Sequence, residues 1–349
     1  MRAAILREVV EVYVDGAPRR YPNLKLVEEP LSIEDVPVPS VGAGQVLIRV
    51  SACGVCYTDV DIVEGRVSCK LPLIPGHQII GKVVEVGKGF GESVGIGDVV
   101  GVAWIGWACG RCRYCREGLE NLCESFKATG CHIDGGYADY AVAYWDYVYR
   151  IPKGLEEVRV APLLCAGAVG YRALKLAEVS DGHRVGLFGF GASAHIIIQV
   201  LRSLYPSSEV YVFSRSAEHR DLAKRLGADW VGAPSEEPPK KLNRAIDFTP
   251  VGETVARALE LLDRGGKLVV NVIRKQTPVQ LDYATHLWLE REVKSVANVT
   301  RRDVEELLGI VNRYGVKTEV QVYSLDQVNK ALVDLKAARV RGSAVLRVA

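Results

Sequence analysis

"VGLFGFGASAHIIIQV", residues 185–200, is the stretch whose reading decides the fold. Its first half is a buried strand running into glycines, and from "ASAHIIIQV" onward the apolar residues recur at helical spacing. Gly189, Gly191 and Ala194 at the junction fit G-x-G-x-x-(G/A). The first glycine permits a tight turn, and the second lets the backbone approach a pyrophosphate. The small third residue lets helix and strand pack closely, with the helix N-terminus facing the anion. Alone the pattern is weak; between a strand and a helix it predicts dinucleotide binding.

The segments that follow repeat the same alternation. "EVYVFSR" (209–215) reads as a strand, "HRDLAKRLGAD" (219–229) as a helix and "RAIDFTP" (244–250) as a strand. "TVARALELLDRGG" (254–266) is a helix with a glycine stop, and "KLVVNVI" (267–273) is a further strand. Such alternation implies right-handed βαβ units in a parallel sheet covered by helices, so the fold class is α/β. An NAD site would carry Asp or Glu at the end of the second strand to bind the ribose 2′-hydroxyl. Here Ser214 and Arg215 stand at that end, with Arg220 one turn into the next helix. Losing the carboxylate and gaining guanidinium suits a 2′-phosphate, which favours NADP(H) over NAD(H).

Before residue 150 the texture is different. Short β-branched runs such as "QVLIRVSA" (45–52) and "IIGKVVEV" (79–86) alternate with glycine-rich turns, and helical periodicity is scarce. The pattern becomes mixed again from about residue 296. The expected layout is one β-rich domain from residues 1–153 and 297–349, with a parallel α/β domain inserted over 154–296.

Bulk properties set the context. A chain of 349 residues is long for a single core. The balance of 44 basic and 42 acidic residues gives no reason to expect nucleic acid. No apolar run approaches the roughly 18 residues a membrane span needs, and no secretory signal is read at the N-terminus, so a cytoplasmic protein is expected. In a reducing compartment the nine cysteines are expected to be metal ligands or core thiols rather than disulfides. One Met, with seven Asn and seven Gln, is a thin allowance of heat-labile residues and hints at a thermophilic source.

Four of the cysteines lie together in "CGRCRYCREGLENLC". Cys109, Cys112, Cys115 and Cys123 are spaced C-x2-C-x2-C-x7-C, close enough to complete a tetrahedral structural zinc shell in a lobe over about 105–125. An iron–sulfur run would place three residues before its last cysteine and a proline after it; neither is present. Elsewhere "CGVCYTD" (53–59) offers Cys56, "PGHQIIG" (75–81) offers His77 and "APLLCAGAVGYRAL" (161–174) offers Cys165. Each alone could be a satisfied core residue. Together, two thiolates, one imidazole and an open fourth position would make a catalytic zinc arrangement.

These motifs carry a resemblance. "IEDVPVPSVGAGQVLIRVSACGVCYTD", "LPLIPGHQIIGKVVEVG", "GDVVGVAW", the four-cysteine lobe, "DGGYADYAV", "CAGAVGYRAL", the glycine turn and "KSVANVTRRD" follow one another in order. The chain resembles the zinc-dependent alcohol dehydrogenases of the medium-chain dehydrogenase/reductase family over nearly its whole length. The resemblance implies a GroES-like β-rich catalytic domain around a Rossmann domain, two zinc ions per chain, and a homodimer or homotetramer. It implies that Cys56, His77 and Cys165 hold the catalytic zinc and that Asp59 orients His77. Thr58 would bond the substrate hydroxyl and begin a proton relay, Trp104 would wall the substrate pocket, and Val169 would lie against the cofactor with the glycine turn. The implied reaction is hydride transfer between the nicotinamide and a small alcohol, ketone or aldehyde.

Four positions depart from the family pattern. Gln78 stands where a glutamate beside the metal is usual, so the site gains no negative charge there. Asp61 occupies the outer end of the proton relay, often a histidine, and as an exposed carboxylate would be a poorer acceptor near neutrality. Val169 replaces a threonine that touches the nicotinamide, and Ser214 replaces the ribose-binding acid. These departures leave room for a weakly active relative that binds cofactor and zinc in a regulatory or structural role. A polyol dehydrogenase is the other alternative, although Cys165 stands where such relatives often carry a carboxylate. Trp107 and Trp288 are further candidates for an aromatic pocket, with simple packing as the plainer explanation.

Overall fold

The computed structural model describes residues 1–9, 13–14, 17–18, 29–89 and 94–349. The chain divides into two compact units. One comprises Met1–Cys165, Val299–Gly309 and Thr318–Ala349; the other comprises Ala166–Asn298 and Ile310–Lys317. In chain order, the strands of the first unit's main sheet begin with β1 (Gln45–Val55), β2 (Gln78–Val86), β3 (Val99–Val102), β4 (Tyr140–Tyr144) and β5 (Val148–Arg150). The second unit contributes β6 (Arg184–Phe188), β7 (Glu209–Phe213), β8 (Trp230–Gly232), β9 (Leu242–Asp247), β10 (Leu262–Val270) and β11 (Glu292–Ser295). The chain then returns with β12 (Val320–Ser324) and β13 (Ser343–Arg347).

In the first unit a sheet runs β5-β3-β2-β1-β13-β12, with β4 also paired to β1. All pairings are antiparallel except β12 with β13. Val46, Ile48, Val50, Ile79 and Val83 from its two longest strands are buried together with Leu6, Leu73 and Tyr137 in one apolar core. Glycine is required where strands or loops close up. A Cβ on Gly81 would lie 2.2 Å from the Arg49 carbonyl across the β1–β2 ladder. Two helices matter for the chemistry: α1 (Tyr57–Val63), directly after β1, and a later helix, Val328–Lys336.

The second unit is an all-parallel sheet in the order β8-β7-β6-β9-β10-β11. Counted from β6 as first, that is the 3-2-1-4-5-6 order of the Rossmann fold. Register aligns Phe188 with Phe213 and with Asp247, and Asp247 with Val270, so the carboxyl ends of the central strands stop level. Helix α2 (Ala166–Leu176) packs on α3 (Ala192–Leu204), where a Cβ on Gly170 would sit 2.4 Å from Ile197. Close helix contact is therefore written into a glycine.

Two expectations are corrected. Cys69 and Cys131 form a disulfide, with Cα atoms 4.8 Å apart and a sequence separation of 62. Two loops run side by side there, Lys70 N donating to the Cys131 carbonyl at 3.2 Å, and this brings the two sulfurs together. The other seven cysteines are free thiols. Asp61, expected to be exposed, is 1% exposed. It lies on the inner face of α1 and faces Arg66, which also pairs with Glu64; Glu64 in turn pairs with Lys336. Among the described residues no helix is long and apolar enough to cross a membrane.

Candidate active site

Cys56 is the N-cap of α1, and it makes a capping box with Asp59: the thiol accepts the Thr58 N–H, and Asp59 accepts the Cys56 N–H at 2.8 Å. This pins the thiol at the start of the helix. His77 lies immediately before β2 in a fully buried position. Cys165 follows a 3-10 turn, Ala161–Leu164, with Pro162 near its start. Three separate segments thus deliver one ligand atom each, and these atoms lie within 4.8 Å of one another. The two sulfurs are 4.0 Å apart.

A Zn–S bond of about 2.3 Å in a tetrahedral shell implies sulfurs roughly 3.8 Å apart. The observed spacing suits that shell, and a mixed thiolate–imidazole set suits zinc. The His77 ring gives the sharper test. Its Nδ1 is 3.2 Å from Asp59 Oδ1, while its Nε2 is buried with no protein partner. A buried nitrogen without a partner is costly unless a ligand takes it. The residues present therefore fit a zinc ion held by Cys56, His77 and Cys165.

Electrostatics point the same way. The Cys165 thiol, with His77 beside it, holds Cys56 well below the ordinary thiol range against the cost of burial. Cys165 is pushed well above that range by the same contact and by burial. Burial opposes charge on His77, but the Asp59 carboxylate and Cys56 outweigh it and raise the imidazole to about 10. A divalent cation would displace these shared protons on binding.

Around the triad, Thr58 Oγ1 is 3.6 Å from Cys56 Sγ, and the Trp104 ring stands edge-on to His77 at 5.0 Å between centroids. Gln78 is buried with its carboxamide over Gly54; a Cβ there would lie 2.8 Å from it. Asp61 is tied into the ion cluster described above. Sequence reasoning overlooked Tyr137, whose hydroxyl donates to Asp59 Oδ2 at 2.8 Å. Its only signal was a tyrosine in the quoted "DGGYADYAV".

The four-cysteine lobe is a second cluster. Cys109, Cys112, Cys115 and Cys123 place their sulfurs within 4.8 Å of one another. Cys115 Sγ is 3.5 Å from Cys112 and 3.9 Å from Cys109. The N–H groups of Arg111 and Cys112 draw Cys109 down to about 6, whereas burial and neighbouring thiols push Cys115 up to about 12. Four sulfurs with no other residue type among them suit a closed Zn–S4 shell.

In the second unit Gly189 has φ of +83°, the left-handed conformation its turn needs. Gly191 caps α3, and a Cβ there would project into open space, leaving backbone free for a phosphate. Ala194 is fully buried where helix meets strand. Val169 lies in α2. Ser214 directly follows β7 and is buried, while Arg215 is exposed. Arg220 turns back on the chain, its Nη1 donating to the carbonyls of Ser214 at 2.6 Å and Arg215 at 3.0 Å. Missed by sequence reasoning at the same strand ends is Lys275, paired with the buried Asp247, which also accepts the Thr249 hydroxyl. Trp107 lies near Tyr144, with ring centroids 6.4 Å apart, and Trp288 is more than half exposed.

Comparison with known proteins agrees with this geometry. The profile described as alcohol dehydrogenase GroES-like domain matches residues 42–153, and the one described as zinc-binding dehydrogenase matches residues 194–313. A probable alcohol dehydrogenase of Mycobacterium tuberculosis is 41% identical over 322 residues, covering 91% of this chain and 92% of its own. An alcohol dehydrogenase of Geobacillus stearothermophilus is 36% identical, covering 91% and 95%. Among solved structures, the cobalt- and zinc-bound thermostable alcohol dehydrogenase of Pyrobaculum aerophilum superposes with a TM-score of 0.87 at 27% identity, over 99% of both chains.

Proposed function

The chain belongs to the zinc-type medium-chain dehydrogenase/reductase family, and from that premise we propose that it transfers a hydride between NADP(H) and a small alcohol or its ketone or aldehyde. The observation that carries the reading is the convergence of Cys56, His77 and Cys165, with the buried Nε2 of His77 left for a ligand. Zinc would supply Lewis acidity that makes an alcohol proton labile near neutrality, and the nicotinamide would accept the hydride. The remaining work falls to the chain. Thr58, whose hydroxyl lies beside Cys56, would bond the substrate hydroxyl and begin the relay that passes its proton on to solvent. Asp59 fixes the His77 tautomer. Trp104, packed edge-on to His77, walls the substrate side. The turn at Gly189 and Gly191 receives the pyrophosphate, and Val169 packs against the cofactor. A second zinc in the four-cysteine lobe has a structural role.

The cofactor assignment is supported by Ser214 and the exposed Arg215, which offer a 2′-phosphate a hydroxyl and a free cation. Arg220 shapes that turn through its carbonyl bonds. Assembly into a dimer or tetramer is supported by β11, an edge strand exposed along its length, with Trp288 and Tyr283 exposed just before it. The test is a metal assay with rates on alcohols, ketones and aldehydes in both directions and with both cofactors. Two zinc per chain and NADPH-dependent reduction are expected; a strong NAD(H) preference would defeat the cofactor assignment. A weakly active, regulatory or structural protein is the second reading. It is favoured by Asp61, which is held by Arg66 instead of standing open to carry a proton outward. Zinc and cofactor bound without turnover on a broad panel would establish it.

A further inference from the structure

We propose that Tyr137 is a positioning residue for the metal centre: its buried phenol locks the Asp59 carboxylate so that His77 presents Nε2 to the ion. The proposal rests on reading Cys56, His77 and Cys165 as the zinc site, and adds to it a residue outside the ligands and their direct partner.

Asp59 is fully buried, and each of its oxygens has work to do. Oδ1 faces His77 Nδ1 at 3.2 Å, and Oδ2 accepts the Cys56 N–H at 2.8 Å. Those two bonds already tie two metal ligands to one carboxylate. A third, from Tyr137 Oη to Oδ2 at 2.8 Å, comes from outside α1 and from a different loop. A carboxylate buried away from solvent must have its lone pairs satisfied, and among the described residues the phenol supplies the one donor that belongs to neither ligand. With Oδ2 held from two sides, rotation about the Asp59 side chain is blocked and Oδ1 stays on Nδ1. Once a bound cation has displaced the Nε2 proton, the imidazole would keep its other proton on Nδ1 and present Nε2 to the ion.

Tyr137 is itself held by the strand of chain that delivers His77. Gly135 N donates to the Ile74 carbonyl at 2.7 Å, Gly136 N to the Gly76 carbonyl at 2.9 Å and Tyr137 N to the Pro75 carbonyl at 3.1 Å. The tyrosine ring lies against Gly76, which has φ of +95°; a Cβ there would meet the ring at 2.4 Å. The Cys69–Cys131 disulfide fastens the start of the same loop. Ring, backbone ladder and disulfide therefore set where the phenol points, and the phenol sets Asp59.

The test compares zinc-loaded full-length protein with its Tyr137→Phe variant. Loss of outer-shell partners typically weakens metal binding by about 10- to 100-fold. Chelator competition should show the Cys56/His77/Cys165 zinc held about tenfold less tightly, while the four-cysteine zinc leaves at the unchanged rate. Cobalt substituted at the triad should show a shifted visible spectrum. In an Asp59→Asn background the Tyr137→Phe change should add nothing. Equal zinc retention with an unchanged cobalt spectrum overturns the proposal, as does an equal penalty in both backgrounds. Should Tyr137→Phe fail to accumulate, 3-fluorotyrosine placed at 137 strengthens the donor without losing volume and should slow zinc release; an unaltered rate overturns the proposal. Failure of the underlying reading has a different signature, since the unmodified chain would then bind one zinc only.

Discussion

Gln78 sits next to His77 in the sequence and over Gly54 in the structure, buried and without charge. Two thiolates, a neutral imidazole and Zn²⁺ sum to zero, so a carboxylate at 78 would make the centre net negative. Gln78→Glu should raise kcat severalfold by easing exchange of the fourth ligand, as stopped-flow turnover of the zinc-loaded protein would show; an unchanged rate removes Gln78 from that role. At the cofactor end, Ser214→Asp restores the acid that binds a ribose hydroxyl and repels a 2′-phosphate. A charge-assisted bond contributes about 1.5–3 kcal/mol, so kcat/KM with NADPH should fall by roughly tenfold or more while that with NADH rises. At this scale the cysteines and histidine that converge were legible, because thiols and imidazole have few other reasons to recur in such motifs. The partners of a residue were not. Asp61 reads as a surface acid because nothing near it in sequence shows that it faces inward, and the disulfide joins cysteines whose loops meet only in the fold.

Helix α1 carries more than its length suggests. Its N-terminus presents Cys56, and its C-terminal side enters an ion cluster of Asp61, Glu64 and Arg66 that reaches Lys336 in the helix Val328–Lys336. Lys336 and Glu64 are nearly inaccessible to solvent. Removing one member of a buried ion pair costs about 3–5 kcal/mol, because its partner stays buried. Lys336→Met should therefore lower Tm by on the order of 10 °C, measured by calorimetry, with both zinc ions retained. The four-cysteine lobe is a second such element. It has little apolar core of its own, so Cys112→Ser should lose one zinc per chain and open residues 105–125 to protease; a variant as resistant as the native chain would mean that the metal is not what orders the lobe. The strand–turn–helix at Gly189 was legible because each local cue there agreed with its neighbours. The loop carrying Tyr137 was not, since its structure comes from hydrogen bonds to residues some sixty positions away.

The whole molecule is two units, each explicable by its own pattern. Alternating strands and helices gave away the parallel sheet, and its strand order follows from right-handed crossovers with one reversal. The antiparallel unit was harder to foresee in detail, because β13 arrives from the far end of the chain to pair with β1 and carries β12 on its other side. The exposed edge β11 belongs to this scale as well. If the proposed assembly uses this edge, Val293→Asp with Trp288→Ser should lower the particle mass in analytical ultracentrifugation, one chain being 38.1 kDa. An unchanged mass would mean that this edge is not an interface. The central claim, that zinc at Cys56, His77 and Cys165 serves hydride transfer, is tested most directly with isotope. Alcohols deuterated at the carbinol carbon should pass deuterium into the nicotinamide of NADP⁺ on the native chain, and the Cys56→Ser chain, still carrying its four-cysteine zinc, should transfer none. No transfer from any of a broad panel of such alcohols to NADP⁺ or NAD⁺, on a chain shown to hold two zinc ions, would contradict it.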